Sequence, residues 1–397
     1  MIGGWSGIEA LGRRSYSKRG IMKDQMQLGS IETPAVLLDL AKLAENVQSM
    51  QQLADQHGVV LRPHAKTHKS VEIARRQLAL GAVGLTVATV GEALVFQNGG
   101  VRSITISRPM VSPGSFDRLI QAPTARDTDL RITVDSQHGV EMAAAKAAEL
   151  RLGVFIKVDV GLHRCGVDPD GPAAIELAQQ ITAAPDLDFR GILSHAGQGY
   201  AAQSRQEAEE IAEAERNTML EVRDRLVERG IAVAEISVGA TPTVLATTDF
   251  SGITEIRPGN YAFLDLLPVK VGVVEQRQVS LSVLATVISK NADFFITDAG
   301  SKTLSSDIGV HGMASTQGYG IAYPSEHYLE SDCEMVVAGL SEEHGKLIRG
   351  DFDLPIGAQV RIIPNHSCPV ANLAREYVVL DENRQQTWPI DAAANAH

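Results

Sequence analysis

An alternation of strand-like and helix-like segments, repeated eight times between about residues 33 and 264, constrains this chain more than any other feature. Short apolar, β-branched runs lie at residues 59–62, 84–88, 103–107, 130–135, 154–159, 189–195, 234–239 and 253–256. Stretches with apolar residues three or four apart separate most of them, at 40–56, 92–97, 140–149, 173–183 and 203–229. Parallel strands need such crossovers, so the spacing predicts an α/β fold, a (β/α)8 barrel. A doubly wound open sheet is the alternative, because a strand count does not prove closure. Beyond about Leu264 the alternation stops. Runs at 279–288, 294–297, 334–337 and 359–363, broken by Gly, Pro, Ser and Asp, predict a second, mainly antiparallel β-domain. The expected division is an extension at 1–30, the barrel at 31–264 and the β-domain at 265–397.

A formal net charge of -12 argues against a nucleic-acid partner, which requires a basic surface, and against an anionic membrane. No run of about 18 apolar residues is present. Three scattered cysteines, Cys165, Cys333 and Cys368, do not make a disulfide framework, which favours a reducing compartment and a cytoplasmic location. The first 30 residues lack the apolar core of a secretory signal and are expected to be disordered, with Met22 and Met26 as alternative starts and an organelle transit sequence as the minor reading.

Chemistry collects where the barrel strands are expected to end. Leu61-Arg62-Pro63-His64-Ala65-Lys66-Thr67-His68-Lys69 closes the first strand, since Pro63 removes a ladder donor, and leaves Lys66 just past its carboxyl end. A lysine there can form an imine; the alternative is a solvated basic loop. Arg164 follows the fifth strand between Gly161 and Gly166, and His195 ends the sixth, followed by Tyr200. After the seventh, Gly239-Ala240-Thr241-Pro242 reads as an anion cradle, with Thr241 as candidate helix cap and Pro242 at the first helical position. Gly259 and Tyr261 follow the eighth strand, and these last two loops are the pair that often holds phosphate in such barrels. An imine lysine, an arginine, a histidine and a phosphate cradle together suggest pyridoxal 5'-phosphate. In the second domain His366 and Cys368 alternate by two, so on an extended segment both would face the same side, and imidazole with thiolate suits zinc.

Several of these motifs carry a family resemblance. Residues 62–69, His163-Arg164-Cys165-Gly166-Val167, His195-Ala196-Gly197 and Arg257-Pro258-Gly259-Asn260-Tyr261, with Asp298-Ala299-Gly300-Ser301-Lys302, Ser341-Glu342-Glu343-His344-Gly345 and Pro364-Asn365-His366-Ser367-Cys368, resemble the D-threonine aldolase and D-serine dehydratase group. These are metal-dependent relatives of alanine racemase within fold type III, and the resemblance spans about residues 33–388. It implies that Lys66 carries the Schiff base, Arg164 contacts the ring's phenolic oxygen, and His195 lies against the ring. Gly239, Thr241, Gly259 and Tyr261 would serve the phosphate, and Tyr200 the cofactor or the substrate. His366 and Cys368 would hold a divalent metal, zinc first, with manganese or magnesium as alternatives; His344, Glu342 and Glu343 would support it or form a solvated loop. A homodimer acting on a D-amino acid is implied. Cys368 stands where the group's aldolases carry aspartate, so dehydration of a D-β-hydroxy amino acid of the D-serine or D-threo-3-hydroxyaspartate type is the expected reaction. Retro-aldol cleavage is the alternative, with a racemase or a silent cofactor-binding protein further off.

Overall fold

The computed structural model describes residues 28–122, 127–147, 150–309, 317–350, 353–381 and 384–394. The extension expected to be disordered, with Met22 and Met26, lies outside the described residues up to residue 27. Strand β1 (Ala35–Asp39) comes first, and eight strands then build the barrel: β2 (Val60–Leu61), β3 (Leu85–Val87), β4 (Ser103–Pro109), β5 (Asp129–Val134), β6 (Leu152–Lys157), β7 (Leu187–Leu193), β8 (Glu235–Val238) and β9 (Glu255–Ile256). They are parallel and pair in the order β2-β9-β8-β7-β6-β5-β4-β3. A parallel bridge between His64 and Thr86 joins the two ends, with the Ala65 N–H on the Thr86 carbonyl at 2.8 Å and the Thr86 N–H on the Pro63 carbonyl at 2.9 Å. The ring is therefore closed beside the lysine loop, which a count of strands does not reveal.

Local chemistry explains where the elements begin and end. The helix Leu40–His57 starts where the Asp39 carboxylate accepts the Lys42 N–H at 3.1 Å, and stops at Gly58, whose φ of 66° suits glycine. Strand β6, Leu-Gly-Val-Phe-Ile-Lys, is buried along its whole length, as expected for a parallel strand covered on both faces.

The second domain contains β10 (Leu281–Lys290), β11 (Phe294–Thr297), β12 (Gly320–Pro324), β13 (Met335–Leu340), β14 (Gly345–Ile348), β15 (Gln359–Pro364), β16 (Glu376–Asp381) and β17 (Arg384–Pro389). Strands β10-β11-β14-β13-β12-β15 close on themselves as an antiparallel ring. Strand β1 extends this sheet, antiparallel to β10 and parallel to β16. Residues 35–39, grouped by sequence with the barrel, are thus hydrogen bonded in the other sheet.

The two domains meet at the lysine loop. Cys368 Sγ and Thr67 Oγ1 lie 3.3 Å apart, and the Tyr377 hydroxyl donates to the His68 carbonyl at 2.6 Å. The Ala392 N–H bonds the Lys69 carbonyl at 2.9 Å, and the Asp391 carboxylate accepts the Val71 N–H at 2.7 Å. The chain just after Lys66 is therefore set by residues more than 300 positions away. Among the described residues, no helix is long and apolar enough to cross a membrane.

Candidate active site

Lys66 projects from the loop that continues β2, beside the closure of the ring. It keeps part of its surface open, as do His195, Tyr200, His366 and Cys368, while the residues around them are buried. Burial lowers the Lys66 amine below the ordinary lysine range; Cys368 opposes this, Arg164 adds to it, Glu92 opposes and Arg257 adds. That set of charges places the lysine, Arg164 and the second domain's cysteine around one space. Lys69, three positions on, is instead paired with Glu92 at 3.0 Å, and the Glu92 carboxylate also accepts the Ala88 N–H at 2.7 Å.

Two imidazoles in this space are held neutral. Burial and the nearby Lys66 keep His64 and His195 well below the usual histidine value. Ser107 Oγ donates to the Val87 carbonyl, so at 3.1 Å it accepts from His64 Nε2, and His64 Nδ1 takes the Lys66 N–H at 3.4 Å. His195 Nδ1 donates to the Gly239 carbonyl at 3.3 Å, which leaves Nε2 as its unprotonated nitrogen. Arg164 lies exposed on the loop after β6; Asp159 of that loop is occupied by His163 at 3.0 Å.

The two expected phosphate loops lie side by side. Gly239 has φ of 115°, and the short helix Thr241–Ala246 begins just after it with Pro242 in its first turn. Burial raises the Tyr200 hydroxyl above its ordinary value, and Thr241 beside it partly opposes the shift. Thr241 Oγ1 accepts the Tyr261 N–H at 3.1 Å. At Gly259 a Cβ would come within 2.8 Å of the His64 carbonyl, so only glycine lets this loop pack against the lysine loop. The Tyr261 hydroxyl points elsewhere: it accepts from Gln77 at 2.9 Å, and Gln77 in turn meets His68 at 3.2 Å. Tyr261 therefore contributes its main chain to this corner, and its hydroxyl belongs to a buried network.

His366 and Cys368 converge by a route different from the one the two-residue spacing suggests. Strand β15 ends at Pro364, His366 caps the helix Ser367–Leu373, and Cys368 lies in that helix's first turn. An extended cap followed by helical residues brings the two side chains near enough for each to shift the other's protonation. Burial pushes the Cys368 thiol up, but His366 and then Lys66 draw it down further, and the net shift favours thiolate. His366 Nδ1 is 2.8 Å from Asp307 Oδ2, which fixes the ring and leaves Nε2 toward the cysteine. Asp307 is the supporting carboxylate; Glu342 and Glu343 are exposed and pair with Lys302 at 2.9 and 2.8 Å, so they form the solvated loop. Among the described residues His327, Glu330 and Cys333 also bring ligand atoms within 4.8 Å of one another, but there His327 and Glu330 already satisfy each other at 3.0 Å on the surface.

The partners of other polar groups of the barrel were not legible in the sequence, because they come from neighbouring strands and loops. Arg62 and Glu255 form a buried ion pair at 2.6 Å, Glu255 accepts from Ser237 Oγ at 2.6 Å, and Arg257 donates to that hydroxyl at 2.7 Å. Lys157, the last residue of β6, is 4% exposed, and burial lowers its pKa to about 7. Between about pH 7 and the ordinary lysine value the unfolded chain binds the extra proton, so stability rises with pH through that window, and below it a charge must be buried. Lys157→Met is therefore expected to raise the melting temperature of cofactor-free protein near pH 6, with the gain fading by about pH 10. A gain that grows with pH would contradict this account.

Comparison with known proteins agrees with this fold. The family model described as "Alanine racemase, N-terminal domain" matches residues 38–266, and a serine dehydratase domain model matches residues 280–380. The chain is 34% identical over 377 residues to D-threo-3-hydroxyaspartate dehydratase of Delftia sp. (strain HT23), covering 92% of this chain and 98% of that protein. It is also 34% identical over 376 residues to D-threonine aldolase of Arthrobacter sp., covering 92% and 93%. The solved structure of the Delftia dehydratase superimposes with a TM-score of 0.85 at 34% identity, over 91% of this chain and 98% of that one. With matched models on both of its domains and such relatives along nearly its whole length, the chain belongs to the family of alanine racemase-fold enzymes that includes the D-threo-3-hydroxyaspartate and D-serine dehydratases and D-threonine aldolase.

Proposed function

We propose that this protein is a pyridoxal-phosphate- and divalent-metal-dependent lyase that removes water from a D-β-hydroxy amino acid, giving a 2-oxo acid and ammonia. The observation that carries the reading is the meeting of Lys66 with the His366–Cys368 pair across the two domains, each altering the other's protonation.

The residues fit both groups. A partly open lysine of lowered pKa, Arg164 beside it, the neutral His195, and the glycine loops at Gly239–Thr241 and Gly259 match the imine, ring and phosphate ends of the cofactor, with Tyr200 and the Tyr261 main chain at the phosphate end. A thiolate and an imidazole backed by Asp307 match a metal that accepts nitrogen and sulfur, zinc first. Bound there, pyridoxal phosphate supplies a sink for the electron pair left at Cα, and the metal a Lewis acid for the β-hydroxyl. Lys66 would take the Cα proton, for which a lowered amine pKa suits it. Arg164 would orient the ring, and the glycine loops would anchor the phosphate. A homodimer, as the resemblance implies, in the cytoplasm, as the three scattered cysteines suggest, completes the reading.

Elimination needs a base at Cα, whereas retro-aldol cleavage needs one at the β-hydroxyl. Lys66 and Tyr200 both lie within electrostatic reach of Cys368, and of the two the lysine, with its lowered amine, is the base suited to Cα. That favours dehydration. The equal identity to the Arthrobacter aldolase supports the second reading, cleavage to glycine and an aldehyde. A racemase is less favoured, because the alanine racemase from Bacillus anthracis shares only the fold, at 16% identity and a TM-score of 0.65. Incubation with D-serine, D-threonine and D-threo-3-hydroxyaspartate, with separate assays for ammonia plus 2-oxo acid and for glycine plus aldehyde, decides the matter. Ammonia and 2-oxo acid are expected. Glycine and acetaldehyde from D-threonine, with no ammonia from any substrate, would transfer the assignment to the aldolase.

A further inference from the structure

We propose that Glu215 is the positioning residue that sets His195 and Gly239 for the cofactor, an inference that rests on the lyase reading above. Glu215 lies on the helix Arg205–Glu228, outside the barrel ring, and is 2% exposed. Its Oε1 accepts from Ser194 Oγ at 2.6 Å, from the Ala196 N–H at 3.1 Å and from the Gly239 N–H at 3.4 Å. Two of these donors flank His195, and the third belongs to the next loop along the barrel mouth.

The Gly239 peptide unit links the two loops. Its residue gives its N–H to Glu215 and receives His195 Nδ1 on its carbonyl at 3.3 Å. A shift at Glu215 is therefore passed to the ring of His195. The flanking serine is held from its other side as well, since Arg257 donates to the Ser194 carbonyl and to Ser237 Oγ at 2.7 Å. Steric space allows little compensation: a Cβ on Gly239 would already lie 2.8 Å from Val244 Cγ2. A buried carboxylate is costly unless donors converge on it. Three donors from two loops on one oxygen, with the Arg257 charge nearby, offset part of that cost, although burial still raises the carboxyl above its ordinary value, and they define a single geometry for both loops.

The test compares Glu215→Gln, Glu215→Asp and Glu215→Ala in the full chain. Glutamine keeps an acceptor oxygen at the same reach and is expected to stay within about threefold of wild type in pyridoxal phosphate affinity. Alanine removes the anchor, and aspartate withdraws it by one methylene. Both should weaken binding of pyridoxal phosphate to stripped protein by about 100-fold. In the cofactor-free proteins the ring-nitrogen resonances of His195 should show the Nδ1–H tautomer for wild type and the glutamine variant, and a tautomer mixture for aspartate and alanine. A merely structural role would lower the melting temperature and leave that tautomer and the affinity of the folded fraction alone. If alanine does not fold, aspartate carries the test, and wild-type affinity and tautomer in that variant would overturn the proposal. If wild-type protein takes up no pyridoxal phosphate on Lys66, the lyase reading fails, while the His195 resonances still report on Glu215.

Discussion

Lys66→Ala protein is expected to lose lyase activity by about four orders of magnitude or more and to carry no borohydride-reducible link to pyridoxal phosphate. The expectation follows from where the four candidate amines sit. Lys66 is partly open, held below the ordinary lysine range, and within electrostatic reach of both Arg164 and Cys368. Lys69 is committed to Glu92 at 3.0 Å, and Lys302 is an exposed amine between Glu342 and Glu343. Lys157 is the strongest competitor, because burial brings it to about 7, but it ends a fully buried strand and is itself 4% exposed. Wild-type protein should be yellow and, after borohydride reduction and digestion, yield one labelled peptide containing Lys66. A label on Lys157, Lys69 or Lys302 would remove the central residue from the reading.

Chelation, or either of His366→Ala and Cys368→Ser, is expected to lower turnover by about a thousandfold while leaving the absorbance of the bound cofactor in place. The separation follows from the architecture: the expected cofactor residues come from barrel loops, and the two proposed metal ligands come from one helix start of the second domain. Asp307→Ala should show an intermediate loss of metal affinity, about 10- to 100-fold, because it removes the carboxylate that orients His366 rather than a ligand. Elemental analysis should find one divalent ion per chain in wild type and none in a variant carrying both His366→Ala and Cys368→Ser. Full turnover by a demonstrably metal-free preparation is the result that would exclude this site.

The sequence by itself determined what depends on neighbours within one or two turns of chain. The eight apolar runs and the helices between them are set by residue spacing, and all eight strands form where that spacing puts them. Lys66 past a strand end, the glycines at 239 and 259, and the metal-suited chemistry of His366 and Cys368 were legible for the same local reason. Strand β17, Arg-Gln-Gln-Thr-Trp-Pro, was not legible: it is an exposed polar edge with little apolar alternation, and only its pairing with β16 makes it a strand. Tertiary structure alone decided the rest. The apolar run of β1 fits either sheet, and the partners β10 and β16, more than 240 residues away, choose the second domain. The spacing of His366 and Cys368 is compatible with a strand or a helix cap, and the end of β15 at Pro364 selects the cap. Tyr261 carries a hydroxyl that could serve a phosphate, but Gln77, brought across by the helix Val71–Leu80, takes it. Cys368 meets Thr67 from 301 positions away, and that contact creates a site in which a lysine and a thiolate influence each other. Periodicity encodes which face of an element is buried, but which distant element covers that face is settled only when the whole chain packs.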